Sequence, residues 1–386
     1  IDFLHRTGVV NDETLDFLRD YRFTGTVRGY AEGECYFAGS PLLTVEGTFA
    51  EACILETLAL SIYNYDCAVA SAASRMTIAA HGRPCVDFGA RRAHEQAAVA
   101  AARASVVGGF VGTSNLEAGL LYGIPTVGTS AHSFTLLHDS EEDAFAAQVA
   151  SLGPSTTILV DTYDIATGVE RAVKAARAAG GELGAVRLDS GDLVAEAFKV
   201  RAQLDALGAT STKITVTNDL DEHAIAALGA APVDSYGVGT KLVTGSGRPT
   251  AALVYKLVER EGADGTMEEV AKFSSGGKST VGGRKWAGRR LTSEGTAAEE
   301  LVVSSSSQDQ GLAALSEAGA RPLQVLLVDE GRIIEEHRGK EALSAAAERH
   351  RAARAELPYD AWRLSDGESA LPTRHVDLDG RSATRR

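Results

Sequence analysis

Hydrophobic and polar positions follow three textures along the chain. Residues 22–47, "RFTGTVRGYAEGECYFAGSPLLTVEG", mix glycines with short β-type runs. They predict a small sheet with strands at roughly 25–30, 33–38 and 42–47. The next stretch, "TFAEACILETLALSIYNYDCAVASAASRMTIAA", keeps apolar residues at helical spacing and predicts one long helix or two successive ones. From residue 84, short apolar runs alternate with Ala-rich segments. Strands are predicted at 85–89, 106–112, 125–129, 157–162, 185–190, 213–219 and 234–240. Helices fit between them, notably "ATGVERAVKAARAAG" and "DLVAEAFKVRAQLDALG". This alternation predicts a parallel sheet, and seven such units fit a β/α barrel better than a short open sheet. Beyond residue 250 the alternation fades. "AALVYKLVERE" and "RPLQVLLVDEGRII" read as strands that extend the N-terminal sheet into a second layer, with polar linkers between. "KEALSAAAERHRAARAEL" reads as a charged helix and "RHVDLDGRSATRR" as a frayed tail. The pattern divides the chain into 1–83 (small sheet and long helices), 84–250 (β/α barrel core), 251–335 (a return to β structure) and 336–386 (helix and tail).

Composition narrows the class. The chain has 386 residues, a hydrophobic fraction of 44% and a charged fraction of 23%, values of a soluble globular protein with a sizeable core. The net charge of −14 argues against a broad nucleic-acid surface, though not against a small anionic ligand held by a few arginines and backbone amides. No apolar run reaches membrane-span length, and "IDFLHRTGVV" lacks signal-peptide organisation. Cys35, Cys53, Cys67 and Cys85 are scattered without metal spacing, which predicts reduced thiols and a cytoplasmic setting.

The candidate chemistry is positional. The predicted strands end in small, polar or charged clusters: Phe88-Gly89-Ala90-Arg91, Gly112-Thr113-Ser114-Asn115, Gly128-Thr129-Ser130-Ala131-His132, Asp161-Thr162-Tyr163-Asp164, Arg187 to Asp192, Asn218-Asp219 and Gly237 to Thr240. In a parallel barrel these ends share one face, the face on which barrel enzymes carry their sites. Polar βα loops account for Ser and Asp there, and less well for Arg91, His132 and Arg187 beside so many glycines, which let amides approach an anion. The strand period of two turns Ala185, Arg187 and Asp189 one way and Val186 and Leu188 the other. Arg187 and Asp189 then face inward near the rim. A self-satisfying buried ion pair is the plain alternative; because such a pair is costly to desolvate, a functional role is favoured. His132 follows a strand-end Gly-Thr-Ser, begins a helix and suits a nucleophile or phosphoryl acceptor, whereas His138 reads as a surface residue. "GGKST" at 276–280 imitates the end of a P-loop, but Lys272 stands where the first glycine belongs and no strand–loop–helix frame surrounds it. Lys278, Arg284 and Lys285 therefore read mainly as solvated loop cations.

Taken in order, "VDFGARRAH", "GGFVGTSNLEAGLLYGIPTVGTSAHSF", "LVDTYD", "GAVRLDSGDL", "TNDLDE", "YGVGTKLVTG" and "YKLVE" resemble the nicotinate phosphoribosyltransferases over roughly residues 10–330. The resemblance implies an ATP-coupled, formally ligase-class enzyme. It makes nicotinate mononucleotide and pyrophosphate from nicotinate and phosphoribosyl pyrophosphate, through a phosphorylated histidine, as the first step of NAD salvage. It implies the type II phosphoribosyltransferase fold: an irregular, TIM-like β/α barrel with a smaller, mainly β domain built from N- and C-terminal segments. Mg²⁺ is expected with the phosphate substrates, without an organic prosthetic group, and the family is usually a homodimer with sites near the subunit interface. A further N-terminal segment, whose aromatic residue completes the neighbouring subunit's ring sandwich, normally precedes the point where this sequence starts.

The resemblance also implies roles. Phe88 stacks on the pyridine ring, with Arg91 and Ser114 near the nicotinate carboxylate and Thr113 a further substrate-binding residue. Nicotinamide-using relatives carry an aspartate at the Ser114 position, which would repel an acid. His132 is the phosphorylated residue. Arg187, Asp189 and Asp161 line the ribose, pyrophosphate and Mg²⁺ region, with Asp189 meeting the metal through pyrophosphate. Asn218, Asp219, Gly237, Gly239 and Thr240 hold the 5-phosphate. Departure of pyrophosphate leaves an oxocarbenium-like centre, which calls for cations on the leaving group and a carboxylate near the ring. Three rivals remain: a nicotinamide- or other pyridine-specific relative, a catalytically silent homologue, and an unrelated barrel lyase or hydrolase using Asp189 and Asp192. Asp192 otherwise reads as the start of the next helix.

Overall fold

A computed structural model describes residues 1–272 and 280–380. The chain separates into two compact units, one of Ser61–Leu253 and Gly339–Glu368, the other of Ile1–Leu60, Val254–Arg338 and Ser369–Arg386. The helix Phe49–Ala79 runs from one into the other as a single element of 31 residues.

The first unit is an α/β structure around a parallel sheet of six short strands: β1 (Cys85–Asp87), β2 (Gly112–Thr113), β3 (Thr157–Leu159), β4 (Ala185–Leu188), β5 (Lys213–Val216) and β6 (Ser235–Val238). Their order is β2-β1-β6-β5-β4-β3, and a single parallel bridge from Thr113 to Thr126 continues the β2 edge. The sheet curls. Thr129, just beyond that bridge, accepts a hydrogen bond of 2.8 Å from Arg187 on β4, near the opposite edge. The outward residues Ile158, Val186, Leu188, Ile214 and Val216 are buried beneath helices that present mostly alanine, such as Ala172, Ala176 and Ala197. Small contact residues let helices lie close to strands: a Cβ at Gly168 would stand 2.4 Å from the Val160 carbonyl oxygen.

Several helices start at a side-chain cap supplied by a βα loop. Asn115 accepts from the Ala118 amide, Asp164 from Thr167, Asp192 from Ala195, and Asp221 from His223 and Ala224. Each satisfies a first-turn N–H that has no partner within the helix. Part of the polarity at the strand ends is therefore spent on helix initiation.

The other unit is built on strands. Arg332–Ile333, Gln324–Asp329, Thr26–Tyr30 and Leu43–Glu46 form one antiparallel sheet. Ala320–Pro322, Lys285–Leu291, Ala297–Ser304 and Thr373–Asp377 form a second, the last strand pairing in parallel. Arg289 and Glu300 are fully buried between these strands and pair at 2.8 Å.

The structure corrects several expectations. Residues 33–38 form no strand. Val106 and Val107 close the helix Glu95–Val107, because the alanine periodicity continues to them and Gly108 then caps it, so the strand there is only Gly112–Thr113. The 125–129 segment contributes one bridge. "AALVYKLVERE" is extended only over Glu259–Glu261. The long strands Lys285–Leu291 and Ala297–Ser304 replace the polar linkers. The expected tail holds the strand Thr373–Asp377, whose mostly exposed polar and charged residues fit an edge strand. Arg284 and Lys285 are half-buried rather than solvated. Arg284 pairs with Glu46, and burial pushes Lys285 down to about 8 while its Nζ donates to the Gly282 and Gly283 carbonyls. Lys278 lies outside the described residues.

Candidate active site

The C-terminal ends of β4 and β5, the β3 loop and the segment that follows the Thr126 bridge carry a connected set of polar side chains. On β4 the alternation holds: Val186 and Leu188 enter the helix-facing core, while Arg187 turns to the other face. Its guanidinium donates from Nε to Thr217 Oγ1 at 2.8 Å, from Nη1 to Thr129 Oγ1 at 2.8 Å and from Nη2 to Asp189 Oδ1 at 3.1 Å. Thr217 Oγ1 donates its own hydrogen bond to the same Asp189 oxygen. The planar fork is thus held in one orientation by three groups on separate loops.

Asp161, just past β3, continues the network. Its Oδ2 accepts from the Asp189 amide at 2.9 Å and from Ser190 Oγ at 2.7 Å. Its Oδ1 is buried without a hydrogen-bond partner and stands 3.9 Å from His132 Nε2. His132 is the first residue of the helix His132–Leu137, with Nδ1 3.1 Å from Thr162 Oγ1. Its side chain keeps 44% of its surface exposed, against 1% for Asp161. The half-exposed imidazole thus faces a buried carboxylate oxygen. His138, by contrast, is half-buried at the end of that helix, where Nδ1 donates to the Phe134 carbonyl at 2.8 Å.

Beside this network lies an aromatic wall. Phe88 follows β1 and is half-buried, with the Arg187 guanidinium 5.3 Å from its ring centroid. Gly237 on β6 leaves the space the ring fills, since a Cβ there would meet Phe88 and Thr217 carbons at 2.6–2.7 Å. Gly237 lies within the strand in register with Val86, so it shapes the wall rather than a loop. Gly239 and Thr240 stand at the loop and begin the short helix Thr240–Val243. Asn218 holds φ at 126°, outside ordinary L-residue territory, and its Oδ1 accepts from the Asp219 amide at 2.8 Å. Such local strain clusters at binding sites. Asp219 is exposed beside it. Arg91 is exposed on the turn Gly89–Arg91, and Ser114 is half-exposed after β2. Thr113 is fully buried, and its hydroxyl is used within the protein. Asp192 caps the helix Leu193–Ala206 through the Ala195 amide at 3.2 Å.

Sequence reasoning names Thr129, Thr162 and Ser190 only as members of the strand-end clusters and gives Thr217 no role, because a loop hydroxyl leaves no periodic signature. Asp87 had a signal: a carboxylate at the end of an otherwise buried strand. Among the described residues no group of three or more His, Cys, Asp or Glu could hold a metal ion. None of their helices is long and apolar enough to cross a membrane.

Comparison with known proteins places the chain in a family. Residues 1–64 match the model of the nicotinate phosphoribosyltransferase N-terminal domain, and residues 84–275 match that of the nicotinate phosphoribosyltransferase family. The chain is similar to the nicotinate phosphoribosyltransferase pncB1 of Mycobacterium tuberculosis, 51% identical over 371 residues, covering 94% of this chain and 79% of that protein. The human nicotinate phosphoribosyltransferase is 31% identical over 339 residues, 72% of this chain and 62% of the relative. In fold, the chain is similar to the crystal structure of human nicotinic acid phosphoribosyltransferase, with a TM-score of 0.77 at 23% identity, covering 97% and 85% of the two chains. A nicotinate-nucleotide pyrophosphorylase from Pyrococcus furiosus gives a TM-score of 0.72 at 25% identity, covering 89% and 85%. The chain belongs to the nicotinate phosphoribosyltransferase family.

Proposed function

We propose that the rim formed by Phe88, Arg91, Ser114, His132, Asp161, Arg187 and Asp189 carries the family's reaction. As a member of the family, the chain transfers a phosphoribosyl group from phosphoribosyl pyrophosphate to nicotinate, with ATP, giving nicotinate mononucleotide in the first step of NAD salvage. The observation that carries the site assignment is the Arg187–Thr217–Asp189 triangle joined to Asp161. It presents a fixed cation and a fixed carboxylate side by side.

In this reading Arg187 meets the departing pyrophosphate, and Asp189 faces the positive charge that grows at the anomeric carbon. Phe88 supplies the face for the pyridine ring. Arg91 and the uncharged Ser114 suit an acid substituent better than an amide. With Nδ1 engaged by Thr162, His132 Nε2 is the nitrogen left to take the phosphoryl group of ATP: its lone pair forms the N–P bond as ADP leaves, and water later releases phosphate. The partnerless Oδ1 of Asp161 then stabilises the imidazolium side of that cycle. Gly239 and Thr240, with Asn218 and Asp219, receive the 5-phosphate, and Gly237 acts through Phe88. Mg²⁺ fits as a companion of the substrates: Asp189 and Asp161 offer at most two carboxylates, the usual protein share for an ion that is otherwise held by phosphates and neutralises them.

At the level of fold, the curled sheet is read as an irregular, incompletely closed β/α barrel with its core at 84–250, accompanied by the mainly β unit, in a homodimer. The Arg187–Thr129 and His132–Thr162 contacts, which link segments at the two sheet edges, support closure. The test is direct. The chain incubated with nicotinate, phosphoribosyl pyrophosphate, Mg²⁺ and ATP is expected to form nicotinate mononucleotide, with nicotinamide a poor substitute. Absence of product from folded protein defeats the reading.

A further inference from the structure

Behind the pyridine wall lies a carboxylate that no step of the reaction uses. Asp87 ends β1, between β2 and β6, and is 0% exposed. Its Oδ1 accepts from the Gly89 amide at 2.7 Å, inside the turn that carries Phe88 and Arg91. Its Oδ2 accepts from Thr113 Oγ1 at 2.7 Å, and that oxygen in turn accepts from the Asn115 amide at 2.9 Å. The Asp87 carbonyl also accepts from the Ser114 amide at 2.7 Å. Burial pushes the Asp87 carboxyl above its ordinary range, and the bonds from Thr113 and Gly89 oppose that shift. A buried carboxylate is costly unless its oxygens are paired, so a fold that keeps one uses it to hold its donors in place. The close fit extends to Gly89, where a Cβ would stand 2.3 Å from Val243.

We propose that Asp87 is a positioning residue that locks the β1 and β2 loops to each other, and thereby sets the distance between the Phe88–Arg91 wall and Ser114. It touches no substrate. Its effect falls on recognition of the pyridine acid, not on the pyrophosphate chemistry at Arg187 and Asp189. The inference rests on the site reading above.

Thr113→Val removes the hydroxyl that joins Asp87 to Asn115 while keeping the shape of the side chain. The expected result is a rise in KM for nicotinate of about tenfold, with kcat and KM for phosphoribosyl pyrophosphate within about threefold of the parent. Thr113→Ser, which keeps the hydroxyl, is expected to restore the nicotinate KM. Asp87→Asn retains one acceptor and should fall between them; if it fails to fold, the Thr113 pair still decides. A nicotinate KM unchanged in Thr113→Val, or kcat and both KM values shifted together without rescue by serine, overturns the role of Asp87 alone. A parent chain without turnover would take the site reading down with it.

Discussion

Arg187 spends three donors on Thr217, Thr129 and Asp189, so its orientation is set by the protein before a substrate is bound. That preorganisation explains why a buried-strand sequence tolerates a charged pair: the desolvation cost is offset by hydrogen bonds from three guanidinium nitrogens to three separate acceptors. Lysine has neither the fork nor the reach to meet all three partners. Arg187→Lys is expected to lower kcat/KM for phosphoribosyl pyrophosphate on the order of a hundredfold while the folded state survives, as steady-state kinetics and a thermal melt would show. A loss below about threefold would mean that the three-way anchoring does not matter. At this scale the sequence is informative where parity applies. The alternation in "AVRLDS" places Arg187 on the inner face, and position after Gly-Thr-Ser marks His132. It gives no partners for Thr129 and Thr162 and no role to Thr217, because their significance lies in which strands become neighbours. Phe88 and Gly237 show the same limit: their fit depends on β1 lying beside β6.

Elements with a strong period were legible, and elements defined by pairing were not. The helix Phe49–Ala79 and five of the six parallel strands follow from apolar spacing, although real strands of three or four residues are shorter than their apolar runs. The Val106–Val107 pair misled because a β-branched run beside glycines looks like a strand, while the preceding alanines carry the helix through it. Lys285–Leu291 and Thr373–Asp377 are rich in charge, and their strand character comes from cross-strand ion pairs rather than alternation. Glu299 shows this: it accepts from Arg290 on one neighbouring strand and from Arg374 on the other, each at 2.9 Å. Those two arginines hold its carboxyl down at about 2, below its ordinary 4.5. A depressed folded-state value means that the unfolded chain binds more protons in this window. The stabilisation is complete above the ordinary carboxylate range and disappears as pH falls towards about 2. Glu299→Gln is therefore expected to melt lower than the parent at neutral pH and to lose less on acidification between pH 5 and 2. Parallel melting curves across that range would refute the assignment.

For the whole molecule, the net charge argues against a broad nucleic-acid surface, and the order of motifs carried the family, which the matches over residues 1–64 and 84–275 establish. What the sequence left open is how the rim is wired, since that depends on the curl that brings Thr129 to Arg187 and His132 to Asp161. On the proposed reading the wiring separates two tasks: Arg187 and Asp189 are assigned to pyrophosphate departure, and His132, Thr162 and Asp161 to the coupling to ATP. The most direct test compares the initial rate of nicotinate mononucleotide formation with and without ATP, at subsaturating substrates, in the parent chain and in His132→Ala. The expected result is a parent rate that rises on adding ATP and a variant rate that stays low and does not respond to ATP. ATP stimulation that persists unchanged in His132→Ala would contradict the account.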